Sequence, residues 1–265
     1  MQNRLLLDEI FNKIKFKIQP NQNIRKEYLY RIKKKIYKLF NKEKLFINSN
    51  TIFKNISNDE RDAINKLLLI DTMSKISIGF IINQICRNLG SQGTYLNIGV
   101  WRGFSMFSGM INTDCKVFGV DNFSHNYEDG DKSLHNADEE LKTRNYFYKH
   151  FSEFENKKKH FFFNLDYKEF FKFWEKEKNI IDFYYYDGEH SYDNQYENLI
   201  IANNFFKKGS IILVDDYNEV DVENATLDFV SKFDNNFKIL KEIKTSNKFI
   251  HPTYANGIIL IEKIN

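Results

Sequence analysis

Short apolar runs alternate with helix-length segments from residue 94 to residue 214, and this alternation limits the fold more than any other feature of the sequence. Runs of about four to eight apolar residues are typical of buried parallel strands, because helices cover both faces of such a sheet. Strands of this kind are predicted at residues 95–100, 117–120, 160–164, 180–186 and 210–214. Helices are predicted among them at residues 105–111, 138–154, 168–177 and 191–206.

Two more apolar runs end the chain, at residues 237–243 and 257–262, with no helix-length segment between them. Consecutive strands that lack a crossover helix pair antiparallel, so we expect an antiparallel pair at one edge of the sheet. The sequence therefore predicts an α/β fold, a doubly wound and mostly parallel sheet of seven strands.

The N-terminal part, residues 1–56, is predicted to form a basic helical arm. Residues 1–50 contain 13 Lys and Arg residues against four Asp and Glu residues. A helix is predicted at residues 23–41, where Leu29 and Ile32 begin an apolar stripe among lysines. The arm either binds an anionic membrane surface or polyanion, or packs its stripe on the core or on a second subunit. The second alternative is favoured, since charged runs usually face water.

Residues 57–265 are predicted to form one domain that opens with two helices. Ser57 or Asn58 can cap the first helix through a side-chain oxygen. The second helix is predicted at about residues 72–88 and ends at Gly90, a residue suited to a helix C-terminus.

Composition argues against several other classes of protein. Cys86 and Cys115 lack the spacing of a metal or redox motif, which favours a reducing cytoplasm. We expect no secretory leader, because the apolar run at residues 5–7 is too short, and no membrane span, because no apolar stretch of about 18 residues occurs. Beyond residue 50 the chain has 26 basic and 32 acidic residues, which argues against broad contact with nucleic acid. We expect a cytoplasmic protein that forms a homodimer.

Polar residues follow the predicted strands at their carboxyl ends, where sheets of this class bind ligands. After the first strand, Gly99 and Gly103 allow a tight turn whose free N–H groups suit a carboxylate or phosphate. Asp121 ends the second strand and suits a ribose, whose hydroxyls can donate to its carboxylate; a surface turn or helix cap is the alternative. Asp166 and Tyr167 follow the third strand and either contact a nucleobase or begin the next helix, with Asp166 as its cap.

The segment YYYDGEHSYD, residues 184–193, takes the fourth strand into a cluster of acids and a histidine. Asp187 follows this strand, and Asp215 and Asp216 follow the neighbouring fifth strand. Carboxylates that meet at one edge of a sheet repel one another unless they are protonated or neutralised by a cation. We therefore predict that Asp187, Asp215 and Asp216 bind a divalent metal, most simply Mg²⁺.

These segments resemble the motifs of class I S-adenosylmethionine-dependent methyltransferases, and more narrowly the macrocin O-methyltransferase type, which acts on sugars of natural products and glycans. The matching segments are NIGVWRGFS, VFGVDNF, FYYYDGEHSY and KKGSIILVDDYN, in that order, within residues 90–263. The resemblance implies a Rossmann-like methyltransferase fold, S-adenosylmethionine as cofactor and Mg²⁺ as metal. The first 90 residues contain no motif of this family.

Individual roles follow from the same resemblance. It implies that the glycine-rich turn holds the methionine end of the cofactor, that Asp121 holds its ribose, and that His190 is the base beside the metal ligand Asp187. The predicted cofactor-binding residues are Asn97, Gly99, Arg102, Gly103, Ser105, Asp121, Asn122, Asp166, Tyr167 and Asp187. The family usually has an acid where this chain has Asn97. An amide accepts a hydrogen bond from the cofactor's ammonium without adding charge, so we expect weaker cofactor binding or a substitute acid.

The predicted reaction is methyl transfer to a sugar hydroxyl, which is a poor nucleophile at neutral pH. A divalent cation stabilises the alkoxide charge as it develops, and His190, with an ordinary pKa of about 6.5, takes the proton. Tyr192 and Tyr217 are predicted to line the sugar pocket, although each also suits the core. The acceptor is expected to be a nucleotide-linked sugar used in glycan or capsule synthesis.

Three other functions remain open. A metal-independent small-molecule methyltransferase and a non-catalytic nucleotide- or glycan-binding subunit both suit the same fold. A nucleic-acid methyltransferase anchored by the basic arm is disfavoured by the acidic balance of the core.

Overall fold

The computed structural model describes residues 2–15, 32, 33, 36, 52–124, 137–174, 179–245 and 253–265. The helix predicted at residues 23–41 therefore lies outside the described residues, apart from Ile32, Lys33 and Ile36. Whether it packs on the core, a second subunit or a polyanion stays a prediction.

Seven strands form one sheet in the order β3-β2-β1-β4-β5-β7-β6. They are β1 Thr94–Ile98, β2 Lys116–Val120, β3 His160–Phe163, β4 Ile181–Tyr186, β5 Phe206–Val214, β6 Phe237–Ile243 and β7 Ile258–Lys263. Strands β1 to β5 pair in parallel, while β7 runs antiparallel to both β5 and β6. The predicted fold class is confirmed, including the antiparallel pair at the edge.

The helices lie on both faces of this sheet. They are α1 Gln2–Lys13, α2 Asn58–Leu67, α3 Ile76–Leu89, α4 Phe104–Met110, α5 Ala137–Phe154, α6 Tyr167–Phe173, α7 Tyr192–Asn203 and α8 Val220–Lys232. Helices α1 and α8 were not predicted, and α3 begins four residues later than the predicted start. Across the described parts of the chain, no helix combines the length and apolarity needed to span a membrane.

Two hydrophobic clusters pack against the two faces, because side chains alternate along each strand. On β4, Phe183 and Tyr185 enter the cluster covered by α1 to α5, whereas Tyr184 and Tyr186 enter the cluster covered by α6 to α8. Burial of a large apolar side chain stabilises the fold by about 1.5–3 kcal/mol, so both layers contribute to stability. The consecutive tyrosines of β4 are therefore core residues of opposite layers.

The described part of the N-terminal arm packs on the core. Leu7, Ile10 and Phe11 of α1 are buried in the first cluster. Lys13 contacts Glu60 at 2.8 Å, which ties α1 to α2. The start of α2 is the predicted one, because Ser57 and Glu60 form a capping box. The division of the chain into an arm and a domain at residue 57 stays a prediction.

Candidate active site

The register of the sheet brings the ends of four strands to one edge. Ile98 lies opposite Val120 of β2 and Tyr186 of β4, and Tyr186 lies opposite Val214 of β5. The residue that follows each strand is therefore placed beside its neighbours. These residues are Gly99, Asp121, Asp187 and Asp215, all of which were predicted site residues.

Asp121 binds the glycine-rich turn, defined as residues 99–103. Its Oδ2 accepts hydrogen bonds from the backbone N–H groups of Val100 and Trp101, each at 2.7 Å. Its Oδ1 accepts one from the backbone N–H of Phe123 at 2.6 Å. The N–H groups of Val100 and Trp101, which were predicted to face an anionic ligand, therefore donate to Asp121 of the protein itself. A carboxylate has about four lone-pair positions, so Asp121 can still accept from a ribose hydroxyl.

The glycine-rich turn also packs tightly against the end of β4. Gly99 has φ of +80°, and a Cβ at this position would lie 1.9 Å from the carbonyl oxygen of Asp187. The backbone N–H of Asp187 donates to the carbonyl of Ile98 at 2.9 Å. Gly103 has φ of +96° and faces the ring of Phe107. Glycine is needed at both positions, and at Gly99 the reason is contact between the turn and a predicted metal ligand.

Asn97 is fully buried and both ends of its amide have partners within the protein. Its Oδ1 accepts from the hydroxyl of Ser105 at 2.8 Å, and its Nδ2 donates to the carbonyl of Gly99 at 3.0 Å. A carboxylate at this position would lack the donor that faces Gly99. The amide therefore suits the turn, and the predicted cofactor contacts of Asn97 and Ser105 stay predictions.

Arg102 and Asn122, two other predicted cofactor-binding residues, also bind protein groups. The guanidinium of Arg102 lies 3.1 Å from Asp71 and 3.0 Å from Glu139, which connects the turn to two other segments. The side-chain oxygen of Asn122 accepts from the backbone N–H of Ser124 at 3.0 Å. These contacts give both residues a structural role.

Asp166 caps α6, which was the alternative to contact with a nucleobase. Its side chain accepts from the backbone N–H of Lys168 at 2.8 Å. Tyr167 is half-buried, with its hydroxyl 3.4 Å from the side-chain oxygen of Asn194. Burial and nearby acids, chiefly Glu197, raise the pKa of Tyr167 well above its ordinary value, so it stays a neutral phenol.

Asp187, His190 and Asp216 form the Asp–His cluster. One ligand atom from each residue lies within 4.8 Å of the others. Nε2 of His190 is 3.8 Å from Oδ1 of Asp187 and 3.4 Å from Oδ2 of Asp216. The side chains are 32%, 32% and 21% exposed in that order, so the cluster remains accessible from solvent. The structure thus brings together the ends of β4 and β5 as predicted.

Asp215 lies beside this cluster without joining it, and the Tyr185 hydroxyl that binds it also lies 3.3 Å from Oδ2 of Asp187. Asp215 is buried, and its Oδ2 accepts a hydrogen bond from the hydroxyl of Tyr185 at 2.7 Å. Burial and the charges of Asp216 and Asp187 raise its pKa well above the ordinary value. Among the described residues, the group that could share one ion therefore contains His190 where the prediction had Asp215.

Charge governs the ionisation of the Asp–His cluster. Burial and the charge of Asp187 raise the pKa of Asp216 to about 6. Burial lowers the pKa of His190, but hydrogen bonds to Asp187 and Glu219 and the charge of Asp216 outweigh it and raise that pKa to about 11. Without another cation, His190 is therefore protonated at neutral pH and balances the carboxylates.

The two predicted sugar-pocket tyrosines lie in different environments. Tyr192 begins α7, stacks on Tyr196 at 5.8 Å between ring centroids, and donates to Asp228 at 2.8 Å. Tyr217 is fully buried, with Lys244 5.6 Å from its ring centroid. Tyr217 is therefore a core residue, the alternative to its predicted place in the sugar pocket. Tyr192 lies at the surface, where it connects α7 to α8.

Two residues of the site were missed by sequence reasoning. Glu219 lies 3.1 Å from Nδ1 of His190, and Tyr185 binds Asp215 from within β4. Glu219 follows Asp216 by three residues, which is a weak signal because acids are common at helix starts. Tyr185 gave no separate signal, since a tyrosine in a strand usually serves the core.

Comparisons with known proteins agree with this reading of the fold. Residues 96–217, which hold the glycine-rich turn, Asp121 and the Asp–His cluster, match the family model of a methyltransferase domain. A comparison with curated proteins found no match.

Solved structures share the fold at low sequence identity. The O-methyltransferase TomG from Streptomyces achromogenes, solved with S-adenosylmethionine, is 11% identical with a TM-score of 0.55, over 83% of this chain and 95% of that one. The methyltransferase PaMTH1 from Podospora anserina is 12% identical with a TM-score of 0.54, over 94% and 100%. The matched segment is thus similar to a methyltransferase domain, and these structures share its fold.

Proposed function

We propose that the protein transfers a methyl group from S-adenosylmethionine to a hydroxyl of a sugar, with a divalent cation at the Asp–His cluster. The observation that carries the proposal is the meeting of Asp187, His190 and Asp216 within 4.8 Å, beside the glycine-rich turn. The sugar acceptor is supported by the resemblance of the DGEHSY and DDY segments to the macrocin type. Within that class we propose a nucleotide-linked sugar.

The side chains of the cluster fit a divalent cation. Asp187 and Asp216 would hold it through carboxylate oxygens, which Mg²⁺ prefers, and Nε2 of His190 lies on the same side. Burial and the charge of Asp187 both raise the pKa of Asp216, and a bound cation would offset both. A bound divalent cation supplies Lewis-acid stabilisation of negative charge on an acceptor oxygen.

His190 is the proposed base. Its Nε2 faces the two carboxylates, where an acceptor hydroxyl would need to lie to give up its proton. Neutralising Asp187 and Asp216 would remove two of the three acids that raise the pKa of His190 and so lower it from about 11, which makes the ring a better proton acceptor. The other residues of the site would align the acceptor with the cofactor, since methyl transfer requires the oxygen, methyl carbon and sulfur in line.

A metal-independent methyltransferase is the second candidate, and one observation favours it. His190 in its protonated form already contacts Asp187, Asp216 and Glu219, so the carboxylates have a positive partner within the protein. In that case the cluster would be structural, and activity would survive EDTA.

The test is a methyl-transfer assay with S-adenosylmethionine, Mg²⁺ and a panel of free and nucleotide-linked sugars, read by mass spectrometry. We expect one methyl group added to a sugar, loss of product in EDTA, and its recovery when Mg²⁺ is restored. Product that survives EDTA would support the metal-independent candidate. Cofactor binding with no product on any acceptor would contradict both and favour a binding subunit.

A further inference from the structure

Glu219 occupies the N-cap position of α8, but its side chain serves the Asp–His cluster. Its Oε2 lies 3.1 Å from Nδ1 of His190, and its side chain makes no capping hydrogen bond to the helix. An acid at an N-cap usually binds the free N–H groups of the first turn, so this orientation departs from the common one. The backbone N–H of Glu219 donates to the carbonyl of Asp216 at 2.9 Å. One turn therefore carries both the proposed metal ligand Asp216 and the partner of His190.

We propose that Glu219 is a positioning residue that fixes the ring orientation and the tautomer of His190, an inference that rests on the proposed function. An ionised carboxylate can only accept hydrogen bonds, so the proton of the neutral ring is held on Nδ1. The lone pair of Nε2 then points to the side where Asp187 and Asp216 lie, at 3.8 Å and 3.4 Å. Both a metal ligand and a base need that lone pair free.

The neighbouring acid does not perform this task. Glu189 precedes His190 directly, yet its carboxylate accepts from the side chain of Asn194 at 2.6 Å and so turns toward α7. The remaining carboxylates near the ring, Asp187 and Asp216, lie on the Nε2 side. Among the described residues, Glu219 is the acid that holds Nδ1.

The first experiment measures Mg²⁺ affinity by calorimetry for the wild type and the variants Glu219→Ala, Glu219→Gln and Asp221→Asn. Loss of the carboxylate partner of a metal-ligating histidine lowers metal affinity or activity about 10- to 100-fold. We therefore expect at least about a 10-fold loss of Mg²⁺ affinity in Glu219→Ala if Nε2 ligates the cation, and a loss of similar size in methyl transfer alone if Nε2 is the base. Glu219→Gln should recover most of it, because its amide oxygen still accepts from Nδ1. Asp221 is an exposed acid in the same helix turn, so Asp221→Asn controls for charge and should leave affinity unchanged.

The outcomes that overturn the inference are distinct. Unchanged Mg²⁺ affinity together with unchanged methyl transfer in Glu219→Ala would show that His190 needs no partner at Nδ1. Equal losses in the Ala and Gln variants would show that Glu219 contributes charge alone.

The second experiment is ¹⁵N NMR of the His190 ring in the Mg²⁺-loaded wild type, which decides the matter even if a variant does not fold. We expect the proton on Nδ1, and a proton on Nε2 would overturn the inference. Because this readout involves no methyl transfer, it separates the two proposals. The expected spectrum without methylation of any acceptor would leave the role of Glu219 intact and remove the proposed reaction. Methylation together with a proton on Nε2 would remove the role of Glu219 alone.

Discussion

Asp121 and the Asp187–Asp216 pair follow parallel strands at the same edge of the sheet, yet their carboxylates are satisfied in different ways. Asp121 accepts three backbone N–H groups, two of them from the glycine-rich turn. Asp187 and Asp216 lie close to each other and to His190, and burial together with the charge of Asp187 raises the pKa of Asp216. The carboxylate of Asp121 is satisfied by backbone hydrogen bonds within the fold, whereas the acids of the Asp–His cluster need a positive charge beside them.

The difference teaches how to separate structural from chemical acids at the ends of strands. Backbone donors are fixed once the turn is formed, so Asp121 strengthens the fold at every stage of a reaction. Acids that repel one another bind a nearby cation favourably, whether it is an imidazolium or a metal ion. The predictions below test this contrast in order of decreasing effect.

Gly99→Ala should have the largest effect, because Gly99 is the point at which the two regions touch. The new Cβ would lie 1.9 Å from the carbonyl oxygen of Asp187, and the backbone has φ of +80°. We expect a loss of about 4 kcal/mol or more in the free energy of unfolding, measured with denaturant. Gly209→Ala is the matched control, since Gly209 has φ of +88° with open space around it and should lose about 1–2 kcal/mol. Equal losses would show that the close approach is unimportant.

Asp216→Asn should abolish function without harming the fold. We expect the rate of methyl transfer to fall by at least about 100-fold, the scale of a lost electrostatic contribution to a transition state. The metal-free protein should be at least as stable as the wild type, because one repelling charge is gone. Kinetics and denaturant unfolding measure the two effects, with Asp221→Asn as the control. A large loss of stability would place Asp216 in the same class as Asp121.

Asp121→Ala should show the opposite pattern, with stability as the main loss. Removing the carboxylate leaves the N–H groups of Val100, Trp101 and Phe123 without their acceptor, and we expect a cost of about 2 kcal/mol in thermal or denaturant unfolding. Asp114 pairs with Lys159 at the surface, so Asp114→Ala should change stability by less than about 0.5 kcal/mol. Equal behaviour of the two variants would contradict the structural role of Asp121.

The metal-free protein should lose stability gradually as pH rises from 7 to 9. The folded state raises the pKa of His190 from 6.5 to about 11, so its contribution is complete below pH 6.5 and is lost as pH rises toward 11. The slope cannot exceed about 1.4 kcal/mol per pH unit for one proton. His190→Gln should flatten the profile of unfolding free energy against pH. A wild type that is already flat would mean that the carboxylates do not hold the imidazolium.

Local patterns were sufficient to predict the sheet and the places of the acids. The apolar runs around Tyr184 and Ile212 mark strands because their length and β-branched or aromatic content suit a buried sheet. Parallel register then places residues 99, 121, 187 and 215 side by side. None of this required knowledge of side-chain directions.

Side-chain direction explains what could not be predicted. Asp215 and Asp216 are adjacent and identical in type, but Asp216 has φ of +51° and leaves the strand, while Asp215 continues toward Tyr185. The sequence does not reveal that change of backbone conformation, so it could not show which of the two acids lies in the Asp–His cluster. Glu219 was missed for the same reason, since its direction depends on the turn after β5. Helix α8 was not predicted, although Val222, Ala225 and Phe229 recur at the spacing of a buried helix face.

The packing of α1 has a practical consequence for anyone who trims this protein for expression. Phe11 of α1 lies 6.2 Å from Tyr254 between ring centroids, and the nearby Asn256 hydrogen-bonds to Asp216. Deleting the first 15 residues would remove the contact of Phe11 with Tyr254. The segment that holds Tyr254 also holds Asn256, the hydrogen-bond partner of Asp216, which is more than 200 positions from Phe11 in the chain. If a truncated protein remains folded but has a lower catalytic rate, we expect the cause to be loss of this packing against the segment that contacts Asp216.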